Sequence, residues 1–253
     1  MLARALARER AVVLGGAAAL TAMAWLELWR QHRGMAMDAP MPMAMPWHPG
    51  DLGAAAAMWS VMMVAMMLPS AAPMLLLFAS LQRKNREQGR PATPTGLFAT
   101  GYLVVWIAWS VLAAGIQWAL QAFLLLTPQL ATAGTALGAV FLLLAGAYQF
   151  TPWKYACLAH CQSPLGFLLT KWREGPRGAF AMGIHHGAYC VGCCWALMGL
   201  LFVGGVMNLL WVAGLAAFVL LEKAVARGPW LSRVAGLGFV GWGLYALVHG
   251  LTR

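Results

Sequence analysis

The chain has 253 residues, 62% of them hydrophobic and 9% charged, with a mean hydropathy of +0.71. A soluble globular chain carries about 25% charged residues, so this composition excludes one. The net charge of +10 does not indicate nucleic-acid binding, because the basic residues punctuate long apolar runs instead of covering a polar face. A β-barrel is excluded by apolar runs that do not alternate, and a disordered chain by 11% aromatic residues. What remains is an all-α, polytopic membrane helical bundle.

A helix needs roughly 20 apolar residues to cross a hydrocarbon core. Seven runs qualify, about Ala11–Trp29, Gly53–Leu81, Gly96–Leu126, Ala131–Phe150, Ala179–Gly204, Gly205–Leu221 and Trp230–Leu251. The first contains Ala22-Met23-Ala24, a cleavage-like triplet, but its apolar stretch continues to Trp29 and reads as a retained transmembrane helix. Pro69 and Pro73 are expected to break the ladder of the second run. With the N-terminus inside, every one of the 17 basic residues except Arg30, Arg33 and Arg253 falls on an inner segment. The positive-inside rule therefore predicts seven spans, N-terminus in and C-terminus out. This divides the chain into an N-terminal transmembrane helix (1–30), an extracytoplasmic Met-rich loop (31–52) and a six-helix metal-binding membrane domain (53–253).

The outer loop places Met35, Met37, Met41, Met43 and Met45 among Pro40, Pro42 and Pro46, with His32 and His48 at its flanks. The prolines forbid a lipid-facing helix, and the segment has little to pack against. Thioether sulfur is a soft ligand for Cu(I) that survives oxidising surroundings where thiols are lost. A flexible low-complexity loop whose methionines rest on the membrane surface is the alternative. In the second run Met58, Met62 and Met66 fall at about 0°, 40° and 80° around a helix, beside Met63 and Met67. Methionine is also ordinary filler in membrane bundles; the continuity of this stripe with the outer loop is what favours a metal-lining role.

All five cysteines fall in two clusters. Cys157, His160 and Cys161 follow the fourth run, while Cys190, Cys193 and Cys194 lie mid-way along the fifth, one turn after His186. His186, Cys190 and Cys193 share one helical stripe, with Cys194 at its edge. Ligating groups at membrane depth are costly unless they face the bundle interior and act there. Thiolate with imidazole selects Cu(I) ahead of zinc, and the chain has only 7 carboxylates to suit harder ions. Lys154, near Cys157, would promote thiolate character.

Several motifs resemble a known family: Trp59-Ser60-Val61-Met62-Met63 through Met66-Met67-Leu68-Pro69-Ser70, Tyr148-Gln149-Phe150-Thr151-Pro152-Trp153-Lys154 with Cys157 and His160-Cys161, His186-Gly187 with Cys190, Gly192-Cys193-Cys194-Trp195, and Gly205, Met207-Asn208 leading to Glu222-Lys223. Over residues 53–250 the chain is similar to a bacterial family of predicted metal-binding integral membrane proteins, some of whose members are labelled copper chaperones. Gln162 stands where that family carries Arg. The resemblance implies metal handling without assigning a reaction.

The residues thus predict a non-enzymatic membrane protein that captures Cu(I) and passes it along Met, His and Cys ligands, by transport or by delivery to a copper-dependent partner. The alternatives are a membrane thiol-disulfide oxidoreductase built on Cys190 and Cys193, with Cys157 and Cys161 as shuttle, and an accessory subunit of a larger complex. Small residues at Gly236, Gly238, Gly241 and Gly243 suit close helix contacts in either setting.

Overall fold

Helix-start chemistry, more than apolar length, decides where the elements of this chain begin. The computed structural model describes residues 2–37, 49–127, 130–132, 135–225 and 229–251. Among them the structure is helical, apart from one isolated bridge between Leu126 and Thr132. The helices are α1 (Leu2–Met37), α2 (Pro49–Glu87), α3 (Thr95–Ala122), α4 (Thr135–Tyr148), α5 (Pro152–Gln162), α6 (Pro164–Lys171), α7 (Gly175–Gly199), α8 (Leu201–Gly204), α9 (Leu209–Ala224) and α10 (Trp230–Leu251).

Among the described residues, five helical stretches are long and apolar enough to cross a membrane: Ala11–Gly34, Gly50–Glu87, Thr95–Ala122, Gly175–Gly204 and Trp230–His249. A sixth is reached if α4 and α5, bent by 67° at their junction, are taken as one span. This differs from the expected seven for two local reasons. Thr151 caps α5 by accepting from the Lys154 amide, and Pro152 occupies its first turn, so a new helix starts directly after the fourth apolar run, of which α4 takes only 14 residues. In the sixth run, Gly205 (φ +91°) and Asn208, whose side chain accepts from the Trp211 amide, delay the start of α9 to Leu209. Its 16 residues span about 24 Å, short of a core about 30 Å thick.

The helix α2 runs through Pro69 and Pro73 without a break. Prolines inside membrane-type helices are tolerated; between them the Ser70 hydroxyl donates to Met67 O and Tyr102 of α3 donates to the same carbonyl, which ties α2 to α3 there.

Two pairings organise the bundle. The first sets α3 against α7, where a Cβ on Gly101 would run into Phe180 O and one on Gly183 into Phe98 O. These glycines let the two backbones touch, as small residues do between membrane helices. Gly183→Val is expected to lower stability by about 3 kcal/mol or to prevent accumulation of the protein, whereas Gly238→Ala, at a position with open space around it, stays within about 0.5 kcal/mol. Thermal unfolding of the detergent-solubilised protein checks both. The second pairing sets α4 against α10, through Gly146 on Val240 and Gly236 and through Gly243 on Leu143. Of the glycine series in α10, Gly236 and Gly243 therefore serve internal contacts, while Gly238 and Gly241 meet nothing.

The spans of α1 and α10 are only 11% and 17% buried, so they present the apolar outer faces. By contrast α2 and α7 are 56% buried and form the centre. Lys154 and Lys223, read from sequence as inner-loop charges, are buried side chains at 0% and 8% exposure.

Candidate metal centre

Helices α5 and α7 bring the two cysteine clusters together. The contact depends on Gly192, because a Cβ there would lie 2.7 Å from Cys157 Sγ. The Tyr148 hydroxyl, at the end of α4, donates to Gly192 O and fixes the bend against α7. One turn further along α5, Cys161 Sγ stands 4.0 Å from Cys193 Sγ. With metal–sulfur bonds of about 2.3 Å, two sulfurs lie roughly 3.8 Å apart on a tetrahedral ion and about 4.6 Å apart on a linear one. The observed separation falls between these limits. All five cysteines are free thiols.

The sulfurs of α7 do not point at one centre. Cys193 and Cys194 donate back along their own helix to Cys190 O at 3.1 and 2.9 Å. Cys190 Sγ instead accepts from Lys223 Nζ at 2.9 Å and lies 3.2 Å from the Tyr102 hydroxyl. Lys223 Nζ also donates to Ser70 Oγ at 3.0 Å. Among the described residues no three His, Cys, Asp or Glu side chains form a ready-made ion site. The arrangement is a facing thiol pair with a third thiol held by an ammonium group.

His186 is buried at 3% exposure in an aromatic cage. Its ring stacks on Tyr102 at 5.7 Å and meets Phe98 and Phe167 at 6.0 and 5.4 Å, leaving Nδ1 without a hydrogen-bond partner. His160 lies flat on Tyr189, 4.1 Å between centroids, with Nδ1 hydrogen-bonded to Ala156 O of its own helix. It is not gathered into the thiol group.

The methionines of α2 are inside. Met62, Met63, Met66 and Met67 are at most 1% exposed and share one apolar core with Cys190, Cys193 and Cys194; Met58 packs on its edge. Met74 belongs to a neighbouring core with Met182, Phe98 and Phe167. Of the outer loop, Met41, Met43, Met45 and His48 lie outside the described residues, and Met35 and Met37 are described only as the backbone end of α1. His32 Nδ1 is 3.0 Å from Met207 O, which ties the end of α1 to the turn before α9.

The expected effect of Lys154 on a thiol is not what the structure gives. Lys154 Nζ binds Glu222 Oε1 and Oε2 at 2.7 and 2.8 Å, and Ser232 completes the carboxylate with a 2.6 Å hydrogen bond to Oε1. Its charge is consumed by that pair. Lys223, one residue along from Glu222, is the lysine that reaches a sulfur. Tyr102, Ser70 and Lys223 were not among the residues singled out as ligand-side groups. The signal for Lys223 was present in the Glu222-Lys223 doublet that closes the apolar helix α9. Gln162 donates to Glu222 O at 2.8 Å and ties α5 to the same end of α9.

Several membrane-length helices are compatible with a multi-pass membrane protein, and among the described residues the buried interior holds thiols and thioethers with Glu222 as its carboxylate. The chain belongs to the PpoB2 copper chaperone family, whose model matches residues 56–246. No curated protein and no solved structure matches it.

Proposed function

We propose that this protein receives Cu(I) from its extracytoplasmic side and holds it between the thiols of α5 and α7 for transfer to a copper-dependent partner. The observation that carries the reading is the Cys161–Cys193 pair at 4.0 Å, contributed by two different helices. Cu(I) accepts two soft ligands, so a facing pair suffices, and a site with few ligands suits an ion that must leave again. The remaining thiols and Met62, Met63, Met66 and Met67 of α2 adjoin the pair in one core, offering weaker soft ligands for successive exchange. Met35, Met37, Met41, Met43, Met45 and His48 supply the capture segment, and Cu(I) takes precedence over zinc because thioethers bind the softer ion. Copper is cargo in this scheme and no chemical step is required of the protein.

The membrane orientation belongs to the same proposal. Short α9 acts as a seventh, incomplete crossing, which leaves the N-terminus inside and the C-terminus outside a bacterial inner membrane. Reporter fusions that place both termini on one side would overturn it.

The test of function is copper content. Protein purified from copper-fed cells under reducing conditions is expected to carry about one equivalent, and deletion of residues 35–48 to slow uptake by roughly tenfold while leaving the capacity intact. Copper below about a tenth of an equivalent in the intact protein overturns the reading.

A further inference from the structure

Lys223 is an unusual neighbour for a soft-metal site. Its ammonium reaches the middle of the bundle, where Ser70 lies near the centre of α2 and Cys190 midway along α7. A buried cation is costly unless an anion compensates it. The adjacent carboxylate does not serve, because Glu222 is bound on both oxygens by Lys154 and on Oε1 by Ser232. Cys161, Cys190, Cys193, Cys194, Tyr102 and His186 lie within electrostatic reach of Lys223, and the direct contacts of Nζ are to Cys190 Sγ and Ser70 Oγ. The sulfurs are therefore the anion for which this lysine is positioned.

We infer that Lys223 is the fixed counter-charge of the metal centre and makes it selective for a monovalent ion. The inference rests on the copper reading above and adds the reason for the ion's charge. A metal bound by two thiols is bound by two thiolates, whose protons leave on binding. One monovalent cation on two thiolates is a complex of charge minus one; Cys190 stays a neutral thiol, its hydrogen directed at the Tyr102 oxygen because the Tyr102 hydroxyl is spent on Met67 O, and the Lys223 ammonium brings the buried total to zero. A divalent cation on the same two thiolates is neutral and leaves the ammonium uncompensated in a low-dielectric interior, a penalty on the wrong ion. The lysine keeps its proton throughout and does not bind the metal. The Ser70 hydroxyl holds the ammonium beside Cys190, and Tyr102, braced on Met67 O at 3.1 Å, limits the sulfur on its other side.

The experiment compares a soft monovalent probe, Ag(I), with a soft divalent one, Cd(II), on the full-length protein in detergent. Ag(I) is followed by competition with a chromophoric chelator and Cd(II) by its thiolate absorption band. Lys223→Met is expected to weaken Ag(I) at least about tenfold while Cd(II) binding holds or improves, so that the ratio of affinities falls by a factor of ten or more. Lys223→Arg, which keeps the charge, restores the ratio to within about threefold of the parent. Lys223→Gln keeps a hydrogen-bond donor for Ser70 without the charge, and it carries the same expectation as the methionine variant where that variant does not fold. Equal weakening of both ions, or an unchanged ratio, overturns the inference and leaves the copper reading standing. A parent protein that binds neither ion overturns both.

Discussion

Replacing Glu222 with alanine is expected to destabilise the protein by about 3–5 kcal/mol, enough to unfold many domains outright. Lys154 is completely buried, and both carboxylate oxygens of Glu222 are its partners. Removing the acid strands an ammonium where no water can reach it, and also orphans the Ser232 hydroxyl bound to Oε1. The direction of the double substitution is informative. Lys154→Met with Glu222→Leu removes both charges and fills similar volume, so most of the loss is expected to return. Thermal unfolding of the three proteins in one detergent measures this, and a double variant as unstable as the single would show that the pair's value lies in something other than charge compensation. The pair joins α5 to α9 beside Gln162, so the single variant is also expected to lose copper, because it frees the helix that carries Cys157 and Cys161.

The second large effect concerns the thiol pair. Cys161→Ser and Cys193→Ser are each expected to lower copper affinity at least about tenfold, with the double variant little worse than either single. Such non-additivity is the signature of two ligands on one ion; once one sulfur is lost, the other has no ion to share. Additive losses would instead assign the two thiols to separate ions. Cys157→Ser provides the comparison on the same helix. Its sulfur fills the space left by Gly192, and if packing is its role the variant loses stability and keeps its copper. Competition with a Cu(I) chelator of known strength separates these outcomes.

The architecture was legible where apolar length was unambiguous. The long second, third and fifth runs became α2, α3 and α7, since nothing in them outweighs the drive to bury backbone polar groups in helices. It was less legible where apolar length and local start signals disagree. Thr151-Pro152 starts α5 directly after the fourth run, whose helix α4 is too short to cross alone, and the Gly205–Asn208 turn shortens α9. Both signals are short-range and visible in the residues, but a count of hydropathic runs averages over them.

At the site, cysteine spacing identified the stripe on α7 but not its partner. The meeting of Cys161 with Cys193 depends on a bend of 67° and on the missing side chain of Gly192, and neither follows from helical periodicity. His186 illustrates the converse. It shares a helical face with Cys190, yet what its imidazole meets is the rings of Phe98, Tyr102 and Phe167, contributed by other helices. Helical angle fixes where a side chain departs, while the neighbouring helices decide where it ends.

The contact of Gly101 with α7 and of Gly183 with α3 bears on how a captured ion could ever be given up. Where two backbones touch, neither helix can slide or rotate without a clash along the seam, which makes α7 the stationary jaw. Its opposite number, α5, is short, follows a sharp corner, and is held by side-chain tethers from Lys154 and Gln162 to α9. In the copper reading proposed above, release would fall to α5: loosening its Lys154 and Gln162 tethers to α9 would widen the gap between the sulfurs and open one coordination position to an incoming acceptor.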